Sequence, residues 1–157
     1  SGIVTAMVCL MQAPFGTELY RRLSSENRIL KEMTGDNTDG TTNIKTKLDP
    51  DTLRKGYFRI MSSIYSPKLL YPRIKTFLEQ FHPTRQIVSI RKNEVFAFLK
   101  TVFTMGFNLK EGRYYWNLIW WTMHNDVRKF PMAITLIIYG YHFRTITERN
   151  LKLLSTG

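Results

Sequence analysis

Apolar residues run almost unbroken from Ile3 to Met11, stop at Pro14 and Gly16, and afterwards recur at three- and four-residue intervals to the end of the chain. The first run reads as a buried strand closed by a turn, with Thr17 placed to cap a following helix. That helix, carrying Leu19, Tyr20 and Leu23, is expected to fade near Leu30. From Lys31 to Lys47 the periodicity lapses, and Gly35-Asp36-Asn37-Thr38-Asp39-Gly40-Thr41-Thr42-Asn43 favours turns, because Asx and Thr side chains compete for nearby backbone amides. A long functional loop and a simple linker are both compatible with this stretch.

The helical period then dominates. Asp49-Pro50-Asp51 is a strong start signal, with Asp49 as cap and Pro50 in the first turn, followed by an apolar stripe of Leu53, Tyr57, Ile60, Met61 and Ile64. Ser66-Pro67 repeats the signal, and Leu70, Ile74, Phe77, Leu78 and Phe81 continue to Pro83, with Pro72 able to shift or kink the start. A further helix is expected from Arg91 to Met105, with Val95, Phe98, Leu99, Val102 and Phe103 on one face and its stop at Gly106; Arg85 to Ile90 could belong to it or to a loop. Another should run from Lys110 to Lys129 with Tyr114, Tyr115, Leu118, Trp121 and His124 near one face. The last opens at Pro131 and reaches Leu153. Gly140 lies midway along it, where glycine costs about 1 kcal/mol relative to alanine, so a close helix contact is expected there. The organisation is thus a strand and helix over 1–31, a loop or linker over 32–48, and a helical domain over 49–157. The chain supplies no sheet for its first strand, as expected of a piece of something longer.

Composition narrows the class. With 157 residues, 43% hydrophobic and rich in aromatics, the chain can bury one ordinary core. The apolar run from Pro131 to Phe143 is too short to cross a bilayer, which needs about 20 residues. Cys9, the single cysteine, sits in the apolar run and reads as an inert buried thiol in a reducing, cytoplasmic setting. The net charge of +11 is spread over doublets such as Arg21-Arg22, Arg54-Lys55, Arg91-Lys92 and Arg128-Lys129. These read as solvated helix surfaces, with an acidic partner or phosphate-bearing substrate as the alternative; a nucleic-acid binder would concentrate charge on one face.

His82, His124 and His142 lack the spacing of a zinc site, so structural roles are expected of them and no metal site is assigned. No phosphate loop, dinucleotide fingerprint or nucleophile elbow is present. Tyr114-Tyr115-Trp116 and Trp120-Trp121 are expected mainly in the core. They cannot all point inward, so one of Trp116, Trp120 and Trp121 is expected to face a partner or substrate.

The stretch Leu10-Met11-Gln12-Ala13-Pro14-Phe15-Gly16-Thr17-Glu18-Leu19-Tyr20-Arg21-Arg22-Leu23 resembles the segment leaving the catalytic barrel of radical S-adenosylmethionine proteins. Gly35-Asp36-Asn37-Thr38-Asp39-Gly40, Leu48-Asp49-Pro50, Gly56-Tyr57, Ile64-Tyr65-Ser66-Pro67 with Tyr71, Pro131-Met132-Ala133-Ile134 and Gly140-Tyr141-His142-Phe143 extend the likeness. They resemble the C-terminal domain of unknown function of cobalamin-binding radical S-adenosylmethionine proteins. The resemblance implies a mostly α fold, a helical bundle of about five to six helices preceded by a leftover strand of an absent α/β barrel. It implies a parent enzyme, of a kind that includes methyltransferases, using a 4Fe-4S cluster, S-adenosylmethionine and cobalamin in upstream domains. With one cysteine and no Cys-x-x-x-Cys-x-x-Cys, this chain itself would hold no cofactor and be catalytically silent. Its partner would be the upstream barrel domain, whose mouth it would cover or whose substrate pocket it would complete, with Asn37, Asp39, Tyr71 and His142 as substrate-facing residues. The alternatives are a protein-interaction or assembly module and, less favoured, a basic nucleic-acid-binding domain.

Overall fold

The computed structural model describes residues 2–36, 38–83, 92–108 and 111–155. Among the described residues it is mostly helical, with α1 (Glu18–Ser25), α2 (Pro50–Ile64), α3 (Pro67–Gln80), α4 (Lys92–Thr101), α5 (Gly112–Asn125) and α6 (Phe130–Ser155). The stretch Arg85 to Ile90, the expected helix starts at Arg91 and Lys110, and the side chain of Val95 lie outside the described residues. None of the described helices is long and apolar enough to cross a membrane. Two compact units are formed, one from Ser1–Ala6 and Ile64–Thr145, the other from Met7–Ser63 and Ile146–Gly157.

The expected strand is present only as extended chain, without a β-ladder among the described residues. Its burial alternates as a strand's would: Val4 is buried, whereas Ile3, Thr5, Met7, Cys9 and Met11 are exposed. The expectation of a buried Cys9 is therefore corrected, because period two sends every odd residue outward. In the first unit, the Tyr65 hydroxyl accepts from the Ala6 amide at 3.1 Å and donates to the Ala6 carbonyl at 2.8 Å. One phenol thus satisfies a donor and an acceptor that a neighbouring strand would otherwise pair.

In the second unit α1 begins as expected, with Thr17 Oγ1 accepting from the Tyr20 amide at 3.2 Å. It ends at Ser25 and not near Leu30. Asn27 takes the left-handed conformation, φ 54°, and the Asn27 and Arg28 amides bond back to Ser24 and Leu23 carbonyls, a Schellman closure. The chain then forms an isolated antiparallel bridge, Ile29 opposite Ile44. Ala13, Leu23 and Ile44 make the local core, flanked by Leu19, Tyr20 and Ile29. In α2 the Asp49 carboxylate accepts from the Thr52 amide at 3.0 Å, as the cap signal requires. The buried stripe is Tyr57, Phe58 and Met61, so Ile60 is exposed: the core face is rotated toward Phe58. Gly40, at φ +65°, lies beneath the Tyr57 and Phe58 rings, where a Cβ would come within 3.0 Å of both.

In the first unit α3 buries Leu70, Tyr71, Ile74 and Leu78, while Phe77 and Phe81 stack with centroids 5.6 Å apart. The helix after Lys92 departs from its expected stripe: Leu99 and Phe103 are exposed. Thr101 and Met105, one helical turn apart, take the inner positions, and the helix closes in a five-residue π-turn, Val102–Gly106. α5 buries Tyr115, Leu118, Ile119 and Thr122, leaving His124, Trp116 and Trp120 exposed, the last at 63%. It stops at Asn125 instead of Lys129 because Asp126 adopts an extended backbone and caps a short 3-10 turn by accepting from the Arg128 amide at 3.0 Å. Along α6, Gly140 meets α3 as the sequence predicts. A Cβ there would overlap Leu70 Cδ2 and lie 3.2 Å from Leu70 Cγ, and Leu70 is fully buried, so its side chain would have to shift within the core.

Gly140→Ala should therefore destabilise the protein by up to about 2 kcal/mol, the overpacking cost of about 1–3 kcal/mol less the roughly 1 kcal/mol gained in helix propensity. Urea denaturation of the two forms measures this, and in a double-mutant cycle Gly140→Ala should cost less on a Leu70→Ala background than on the wild type.

Candidate functional site

A carboxylate lies in the first unit where no solvent reaches it. Glu111 is 1% exposed and occupies the N-cap position of α5; its amide bonds to the Asn108 carbonyl and its carbonyl accepts from the Tyr115 amide at 3.0 Å. An isolated buried carboxylate costs several kcal/mol, so its charge must be answered locally. Two groups do so. Tyr71 of α3 donates its hydroxyl to Oε1 at 2.9 Å, and Arg144 of α6 forms an ion pair and hydrogen bond with Oε2 through Nη2. The Arg144 guanidinium also lies over the Tyr141 ring, 5.4 Å from its centroid. Burial first, then the Glu111 carboxylate and its hydrogen bond, push the Tyr71 hydroxyl well above the ordinary phenol range, outweighing the opposing charge of Arg144. Tyr115 is raised too, by burial against the opposing bond it shares with Thr101 at 2.9 Å.

Beside this network a cavity of about 400 Å³ opens between α3 and α5. Tyr71, Pro72 and Lys75 form one wall; Arg113, Tyr114 and Asn117 form the other. Residues 71 and 75, and 113 and 117, are each one helical turn apart, which brings each pair to one face of its helix. Pro72 cannot donate to the Lys68 carbonyl, so α3 lacks one of its own bonds beside the opening.

Of the residues singled out from sequence, Tyr71 joins this network. His142 is exposed on α6 with its ring 5.9 Å from that of Phe143, and no contact with Tyr71 brings it into the network. Asp39 is in the other unit, where its carboxylate accepts from the Thr41 amide at 2.8 Å, the Thr41 hydroxyl at 2.7 Å and the Thr34 hydroxyl at 2.9 Å. Burial alone would raise its pKa, but those bonds, with help from the Lys31 charge, hold it below the ordinary value. Asn37 lies outside the described residues. Glu111, Arg144, Lys75 and Arg113 escape a reading of the sequence. The available signal for Glu111 is scarcity: only four acidic residues stand against 11 basic ones after position 80. Among the described residues no group of three or more His, Cys, Asp or Glu side chains is placed to hold a metal ion.

A protein-family model described as "Domain of unknown function (DUF4070)" matches residues 17–154. Neither the curated proteins nor the solved structures contain a match.

Removing the hydroxyl in Tyr71→Phe should cost about 1–3 kcal/mol at neutral pH, because the buried carboxylate loses a donor. The raised Tyr71 pKa fixes the sign of the pH dependence. Its stabilisation is complete below the unfolded tyrosine value near 10 and falls as the pH climbs beyond it, when the unfolded chain sheds a proton that the folded one retains. The stability gap between wild type and Tyr71→Phe should therefore narrow above about pH 10, as measured by denaturant titrations at stepwise pH.

Proposed function

The chain belongs to the DUF4070 family, and from that premise we propose that it is the C-terminal accessory domain of a cobalamin-binding radical S-adenosylmethionine enzyme, acting at the mouth of that enzyme's barrel. The observation that carries this reading is the family match over residues 17–154, since the family is known from radical S-adenosylmethionine and cobalamin proteins. The motif-like residues Gly35 to Gly40, Asp49-Pro50, Tyr71 and Gly140 to Phe143 lie within the matched span.

The parent's iron–sulfur cluster does not fit this chain's own residues. A site-differentiated cluster needs three thiolates, whereas the sequence has Cys9 alone. The cluster, S-adenosylmethionine and cobalamin are assigned to domains upstream, and the chain's contribution is binding and shape. Tyr71, held protonated, donates a hydrogen bond and fixes one wall of the α3–α5 cavity; Lys75 and Arg113 place positive charge at that cavity. Covering a barrel mouth with such a surface would keep water from a radical intermediate and orient substrate. Methylation is the reaction class the resemblance favours for the parent.

A second reading, an assembly module, is favoured by the exposure of Phe103, Phe107 and Trp120, large aromatic side chains that a solitary surface seldom displays together. The two readings diverge on deletion. Removing residues 17–154 from the polypeptide that carries them should lower substrate turnover at least tenfold while leaving iron and cobalamin content unchanged. Unaltered turnover, accompanied by a lower oligomeric state, would instead favour the assembly module.

A further inference from the structure

We propose that the cavity between α3 and α5 is a binding site for a small anionic organic molecule, its phosphate or carboxylate held by Lys75 and Arg113 and its planar body lying against Tyr114, which Tyr71 backs. The cavity lies wholly within the first compact unit, so the assignment does not depend on a catalytic domain elsewhere.

The charge balance of the walls argues for an anion. Two cations line the cavity, no acidic side chain does so among the described residues, and neither cation forms an ion pair with a described residue. The nearby carboxylate of Glu111 does not neutralise them, because it is buried and already bonded to Tyr71 and Arg144. Lys75 is half-buried, and its ammonium lies over the Trp121 ring, 5.1 Å from the centroid. That contact positions the charge without cancelling it, since a ring quadrupole attracts a cation and leaves its net charge intact. Arg113 is exposed, and its planar fork matches the two oxygens of a carboxylate or phosphate.

The rest of the lining argues for a planar body. Tyr71 and Tyr114 set their rings 6.0 Å apart with a 31° tilt. The first is immobilised by its bond to Glu111, so this wall is already ordered before a ligand arrives. Asn117 adds an amide able to donate or accept, and a volume of about 400 Å³ suits a small organic molecule rather than a macromolecular chain.

Calorimetric titration of the full chain with four probes tests the assignment: phenyl phosphate, benzoate, inorganic phosphate and benzyl alcohol. At least one of the two aromatic anions should bind saturably and at least tenfold more tightly than inorganic phosphate and benzyl alcohol; which of the two binds more tightly identifies the head group. The double variant Lys75→Gln/Arg113→Gln should weaken that binding at least tenfold while still unfolding in one cooperative transition above the assay temperature. Arg21→Gln/Arg22→Gln, an equal loss of charge in the other unit, should not. Absence of saturable binding by either aromatic anion overturns the site. So does inorganic phosphate binding as tightly as phenyl phosphate, or affinity that falls equally in both double variants.

Discussion

The buried carboxylate of Glu111 is the constraint on which the first unit depends. A negative charge at 1% exposure is tolerable only where hydrogen bonds and an opposite charge replace water. The replacements come from 40 residues earlier, Tyr71, and 33 residues later, Arg144, so three helices must take one arrangement for the charge to be satisfied. Apolar packing alone is forgiving of small slips between helices. A carboxylate with two fixed partners is not. Because Glu111 also stands at the N-cap of α5, the same contact sets where that helix begins, and with it the position of Tyr115, which bonds Thr101 just before the π-turn. The two walls of the cavity are thereby held in register by a bond that lies beside it.

The second unit solves a different problem, the pairing of extended backbone without a sheet. Asn43 is buried at 2% exposure, and its amide side chain accepts from the Ala13 amide and donates to the Ala13 carbonyl, both at 2.8 Å. Thr42 donates its hydroxyl to the Met11 carbonyl at 2.6 Å. Side chains therefore supply the bonds that strands would exchange. The polar run before them is not loose either: Asp36 accepts from the Thr38 amide at 2.7 Å, Asp39 gathers Thr34 and Thr41, and the Asn150 side chain donates to the Thr38 carbonyl at 3.0 Å. Thr and Asx residues that forbid a helix here build a bonded loop in its place.

What could be read from the sequence divides along the range of the interactions concerned. The starts of α2 and α3 were legible because Asp49-Pro50 and Ser66-Pro67 act within one turn. The close contact at Gly140 was legible because a glycine inside an apolar helix gives up propensity and is kept where a neighbour leaves no room for a Cβ. The ends of α1 and α5 were not: they turn on the backbone states of Asn27 and Asp126, which neighbouring periodicity masks. Stripes drawn at ideal spacing placed Ile60, Leu99 and Phe103 inward, whereas Phe58, Thr101 and Met105 occupy the core, because tertiary packing chooses between neighbouring faces that periodicity leaves open. Tyr71 could be found as part of a family-like motif. Glu111 and Arg144 could not, since a lone carboxylate and a lone guanidinium have no pattern until tertiary structure joins them. Lys75 and Arg113 were hidden for the opposite reason, because in a chain of net charge +11 any single cation resembles solvated surface.

The chemistry of these groups bears on what the domain can contribute. Tyr71 holds its proton more firmly than an ordinary phenol and is no base near neutral pH; the carboxylate beside it is engaged at both oxygens. A group whose lone pairs and proton are already committed orients and binds but does not react. The cations at the cavity act in the same sense, since ammonium and guanidinium attract and position an anion without exchanging covalent bonds with it. On the proposed reading, reactive power would lie in the parent's other domains. In the proposed parent, such a surface would serve by fixing substrate geometry, which matters to a radical reaction because a displaced or hydrated intermediate is lost to side reactions.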